Sequence, residues 1–180
     1  MDDSLRTVVE MNTVSWARFQ RDVADVSPDE VDWRPLPEAN TINLIVRHHR
    51  IDAAWHVRSI ERQAPDQGSK VASDDARTES IPLEFHDNLG HLGNLVARFR
   101  DVLGRITAAD LQRRSAWAYE AFPQATLPDH FLAYHFALHL AGHGGQIRTL
   151  RNLYEKTRGR PARFFPDNPT FPQGRAGAEA

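Results

Sequence analysis

Apolar residues recur at alternating steps of three and four along four stretches of the chain, the period that stacks side chains on one face of an α-helix. The first stretch, from about Leu5 to Ala24, carries Leu5, Val9, Asn12, Trp16, Phe19 and Val23 in one row. A second helix is expected after Asn40 or Thr41, either of which can cap it, and runs to about Glu61. One of its rows reads Leu44, His48, Ile51 and Trp55, with Ile45 beside it. The neighbouring row reads Ile42, Ile45, His49, Asp52 and His56. A third helix, starting near Pro82, has the cleanest row: Phe85, Leu89, Leu92, Val96, Phe99, Leu103 and Ile106. The fourth starts near Thr126 or Leu127, with Pro128 in its first turn, and continues to about Lys156.

The connections are marked by turn and cap chemistry. Ser27, Pro28 and Glu30 form a capping pattern that starts only a turn or two of helix, because Pro35 and Pro37 follow. Trp33, Arg34 and Pro35 are expected to fold across the bundle end. Gln63 to Ser80 lacks an apolar period and reads as a long exposed loop. Thr107 with Asp110 looks like the cap of another short turn, and Arg113 to Gln124 is irregular and aromatic. Past Lys156 proline is frequent, helix is not expected, and Phe164, Phe165 and Phe171 are the candidates to anchor the tail on the body. Four long helices without a strand pattern predict an all-α protein built as a four-helix bundle. The bundle would span residues 1–156, followed by a Pro-, Arg- and Phe-rich tail over 157–180.

Composition narrows the function. A chain of 180 residues, 41% hydrophobic and 26% charged, is the size and make-up of one globular domain. A net charge of -2 marks no nucleic-acid partner, and no apolar run approaches the ~20 residues that span a bilayer. The start, MDDSLRTVVEM, is acidic and amphipathic, unlike a signal peptide, so a cytoplasmic location is expected. The absence of cysteine excludes disulfides, thiolate metal sites and a cysteine nucleophile within the chain. The nine histidines are the unusual feature.

Their positions suggest a metal ion. In the fourth helix Leu132, Phe136, His139, His143, Gln146, Leu150 and Leu153 share one heptad-spaced face, and a polar trio inside an apolar row is costly to bury without partners. His139 and His143, at i and i+4, can hold one ion together, with the small residues of HLAGHGGQ leaving room. A third ligand comes from the second helix. His48 is favoured because its row ends in Trp55, while His49, aligned with Ile42, Ile45 and Asp52, retains a claim. Asp52 is a fourth ligand, an acceptor for an imidazole N–H, or a surface carboxylate. Gln146 orients a bound water or His143, or else is a polar group bonded across the bundle. His135 is expected at the pocket edge, off the metal; His56, His86, His91 and His130 are expected on the surface. Arg148, Arg151, Arg158, Arg160 and Arg163 could meet an anionic substrate, but read first as a solvated helix end, where cations are favourable. Three imidazoles without thiolate suit zinc, nickel, copper or iron(II), and leave a coordination position for water or substrate. No P-loop, GxGxxG, HExxH or GxSxG motif is present, and no catalytic side chain is assigned.

The stretch WRPLPEANTINLIVRHH, with HLAGHGGQIRTLRNLY downstream, resembles the DinB-like superfamily of bacterial metal-binding four-helix bundles. The resemblance runs to about Tyr154, and its most specific part is the His-x-x-x-His-x-x-Gln run. It implies a long crossover between the second and third helices, which Gln63 to Ser80 would supply, and a metal triad at His48, His139 and His143. It further implies a homodimer and a small-molecule substrate. By the same resemblance, the activity would be that of a thiol S-transferase using a divalent metal, zinc or nickel first, and a low-molecular-weight thiol as cosubstrate. A metallohydrolase and a non-enzymatic metal-binding stress-response module are the alternatives.

Overall fold

The computed structural model describes residues 3–61, 84–119 and 122–165, with 114–119 and 122–128 described as backbone. Their elements are α1 (Asp3–Val23), α2 (Pro28–Val31), α3 (Ile42–Ile60), α4 (Phe85–Arg105), α5 (Ala108–Leu111), β1 (Arg114–Tyr119), β2 (Phe122–Pro128) and α6 (Asp129–Thr157). The four long helices form the bundle. Caps fall where the side chains can supply them. Thr41 Oγ1 accepts from Leu44 N at 3.0 Å, and Thr107 and Asp110 bond each other's backbone N–H at 2.8 and 3.2 Å.

Contacts between helices fix their directions. Asn12 donates to the carbonyl oxygen of Ala133 at 3.1 Å, and Asp22 lies against Gly144, so α1 and α6 run parallel. Arg50 bonds Asn88 and Arg98 bonds Glu61, so α3 and α4 also run parallel. His48 meets His139 while His56 meets His135, so α3 and α6 are antiparallel. The link from Glu61 to Glu84 therefore joins opposite ends of the bundle, as a crossover must; the expected Gln63–Ser80 loop itself lies outside the described residues. The core closes around Phe19, Phe99 and Phe136, all fully buried, with the Phe99 and Phe136 rings 4.7 Å apart. Each such ring is worth about 1.5–3 kcal/mol when removed from water.

Two expectations need correction. Arg113 to Gln124 is not simply irregular: β1 and β2 form an antiparallel hairpin with a broken register. Pro123 and Pro128, with interleaved polar residues, hide that strand pattern. Because β2 extends to Pro128, α6 starts only at Asp129, whose N–H bonds the carbonyl oxygen of Arg113 at 3.0 Å. The second correction concerns the face of α6. Its buried residues are Leu132, Ala133, Phe136, Ala137, Leu140, Gly144, Ile147, Leu150, Arg151 and Tyr154, while Gln146 and Leu153 are exposed. A straight helix drifts ~20° per heptad from a strict four-three row, so three heptads carry Leu153 about 60° off the core face on which Leu132 began.

The same drift brings Arg151 inward. It is fully buried, not solvated at a helix end. Its Nε donates to Glu30 Oε1 at 2.8 Å, and its Nη1 donates to the carbonyl oxygens of Asp22 and Ala24 at 2.9 and 2.7 Å. One guanidinium thus satisfies carbonyls at the end of α1 and pairs with the carboxylate that opens α2. The tail is anchored by Phe164, whose N–H and carbonyl oxygen both bond the Asn152 side chain, at 2.8 and 3.2 Å. Phe165 is 58% exposed and anchors nothing, and Phe171 lies outside the described residues.

Candidate metal centre

Antiparallel packing of α3 on α6 places His48 opposite His139 and His143. All three imidazoles are half-buried. Nε2 of His139 lies 3.4 Å from Nε2 of His48 and 3.0 Å from Nε2 of His143. The far sides of two of these rings are engaged. Nδ1 of His139 is 2.7 Å from Asp52 Oδ2, and Nδ1 of His143 is 2.9 Å from Gln146 Oε1. A carboxylate and an amide oxygen only accept, so both Nδ1 atoms carry the proton. A neutral imidazole then presents a bare lone pair at Nε2. Two lone pairs facing each other at 3.0 Å repel unless a cation lies between them.

The donor set therefore fits a transition-metal ion. With metal–nitrogen distances near ~2.1 Å, ligands on one face of an ion stand roughly 3.0–3.4 Å apart, matching the observed spacings. Three protein ligands would leave at least one coordination position for water or substrate. The outer contacts have the form expected around metal-ligating histidines: an acceptor on each Nδ1–H fixes tautomer and ring plane.

Behind the triad the site is deeper than the sequence suggests. His49 is 0% exposed, its ring 4.8 Å from that of His139, 4.7 Å from that of His143 and edge-on to Phe19. Neither of its ring nitrogens has a partner among the described residues. Burial, then the positive potential of His139 and His143, hold its pKa well below the ordinary value, so it is a neutral wall of the site. His49, Asp52 and His139 also form a second group able to hold an ion, so both candidates from the second helix reach the site and both groupings share His139.

Asp52 is the hub. Burial pushes its carboxyl up, but His56 and the hydrogen bond from His139 outweigh that and hold it well below the usual range. It is an acceptor for an imidazole N–H, not a surface group. His56 is not on the surface either: it is fully buried against Phe99 and Phe136. Its Nδ1–H donates to the Asp52 carbonyl oxygen at 2.8 Å and lies 3.2 Å from Oδ2. Its Nε2 then accepts from Nδ1–H of His135 at 3.1 Å. His135, half-buried, stacks between Phe131 and His139 at the site's edge, and burial and then His56 pull its pKa down to about 4. Burial likewise, then His139, bring His143 to about 4. His86 and His91 are exposed as expected, and His130 is half-buried. The missed signal was the period of α3, where His49, Ala53, His56, Val57 and Ile60 make the buried face.

Among the described residues no helix is long and apolar enough to cross a membrane. The model of the DinB superfamily matches residues 12–147, which include every residue of the site. A solved structure described as the crystal structure of the conserved protein of locus from Enterococcus faecalis matches with a TM-score of 0.63 at 14% identity. The match covers 85% of this chain and 97% of that one, and at this identity it speaks for the fold alone. No curated protein matches the chain.

Proposed function

The chain belongs to the DinB superfamily, and on that premise we propose that it holds a divalent transition metal, zinc or nickel, through His48, His139 and His143 and uses it to transfer a group to a low-molecular-weight thiol. The observation that carries this reading is the convergence of three Nε2 atoms, two of them with their protons fixed on the opposite nitrogen. When bound, the ion supplies Lewis acidity that lowers the pKa of a coordinated thiol into the physiological range.

The protein's part is positioning. Asp52 holds the tautomer and ring plane of His139, and Gln146 does the same for His143 without adding charge. His49, Phe19 and Phe136 keep water from the inner side. His135 and Phe131 stack beside His139 and cover that edge of the site. Asp52 is engaged by His139 and His56 and so is not free to act as a general base on water. That favours a thiol, which without a base gives up its proton far more readily than water (intrinsic pKa ~8.5 against ~15.7), over a metallohydrolase.

Elemental analysis of purified protein, beside His48→Ala and His49→Ala, tests the reading. Near-stoichiometric metal, lost with His48 and kept with His49, is expected; metal kept in His48→Ala sinks the triad. A screen of thiol plus electrophile against ester and amide substrates without thiol then separates transferase from hydrolase. Turnover in neither, with a large stability loss on metal removal, would mark a non-enzymatic module.

A further inference from the structure

The C-terminal half of α6 and the tail enclose a hollow of about 720 Å³. Its tail wall is built, not draped. Asn152 bonds both backbone groups of Phe164, the Arg151 guanidinium lies 5.7 Å from the Phe164 ring, and Arg163 reaches the Ala24 carbonyl oxygen at 3.4 Å. Phe165 has φ 55, a left-handed conformation strained for a non-glycine residue, and its side chain is largely exposed.

The lining pairs apolar surface with positive charge. Leu153, Phe164 and Phe165 provide the apolar part, Arg148, Lys156 and Arg160 the cations, and among the described residues no carboxylate lines the hollow. Arg148 reaches Asp22 at 3.6 Å and Arg160 pairs with Glu155, whereas Lys156 has no ionic partner among the described residues. A second hollow of about 640 Å³ shares Gly145, Thr149 and Leu153 with the first and reaches Gln146, the partner of His143.

We propose that the hollow binds a small organic anion with an apolar body, its carboxylate at Lys156 and Arg160 and its hydrocarbon part against Leu153, Phe164 and Phe165. The volume lies within the range of small-molecule sites, and a few convergent polar groups in an apolar cleft are their usual make-up. The lining shared with the hollow at Gln146 would make this a groove along which an anionic substrate approaches the metal centre. That use rests on the function proposed above; the binding itself does not.

Decanoate, titrated by calorimetry into full-length protein freed of metal with EDTA, is the test, with decan-1-ol as the uncharged control. Saturable one-to-one binding of decanoate is expected, with decanol at least about tenfold weaker. Lys156→Glu should weaken decanoate by about tenfold or more, Leu153→Ser should weaken both ligands, and His143→Ala should leave both unchanged. No saturable binding, equal binding of acid and alcohol, or binding indifferent to Lys156→Glu overturns the proposal. Decanoate binding lost in His143→Ala but kept in Lys156→Glu also overturns it, because the carboxylate would then sit at the histidines. Decanoate binding in a protein that takes up no metal sustains the groove and removes only its role as a substrate path.

Discussion

Oδ2 of Asp52 and Nδ1 of His139 stand 2.7 Å apart, and this one contact decides which nitrogen of His139 is left bare for a ligand. Asp52→Asn keeps an acceptor there but removes the charge. Zinc affinity, measured in competition with a chromophoric chelator, should fall about 10- to 100-fold, while the far-ultraviolet circular dichroism is unchanged. An unaltered affinity would show that Asp52 does not tune the site.

His56 supports Asp52 from the core side and packs against Phe99 and Phe136. His56→Ala leaves both a cavity and an acceptor without its donor. A loss of roughly 2–4 kcal/mol in urea unfolding is expected. A loss near zero would place His56 outside the core.

Arg151 and Glu30 form a fully buried pair at 2.8 Å. Arg151→Met strands the carboxylate and should cost about 3–5 kcal/mol, and Arg151→Lys should recover little, because a point charge cannot meet Glu30, Asp22 and Ala24 together. The double variant Arg151→Met, Glu30→Gln should be more stable than Arg151→Met alone. Equal stability would mean that the charges are not coupled.

Burial, with neighbouring histidines, holds the pKa values of His135 and His143 down at about 4, against an ordinary value of 6.5. Between those values the unfolded chain takes up protons that the folded chain refuses. Their contribution to stability is therefore complete above the ordinary value and is lost as pH falls toward about 4. Chemical unfolding in EDTA across that window should show the decline, and should show less of it in His135→Gln. A flat profile would mean that the two rings titrate normally.

The four helices were legible because their apolar rows are long, and the caps at Thr41 and Thr107 because their chemistry is local. The meeting of His48, His139 and His143 was legible because i, i+4 spacing forces two of them together and the second helix offered histidines in a core row. His56 and Arg151 were not. Each is polar by type and buried by partners far along the chain, Phe99 and His135 for one, Asp22 and Glu30 for the other. The hairpin escaped notice because prolines interrupt its second strand. Reading the fourth helix on a strict heptad put Leu153 and Gln146 inside, where a 3.6-residue period puts Arg151 and Tyr154.

The parallel pairing of α1 with α6 has a consequence for how the molecule is made. The first long helix finds one of its main partners only in the last, and the histidines of α3 wait for those of α6. During synthesis α1 and α3 leave the ribosome with apolar faces that nothing yet translated can cover fully. Closure of the core is expected to wait for α6, and such contacts between segments far apart in the chain slow folding. A ribosome stalled before Asp129 would hold a chain with neither a closed core nor a metal centre.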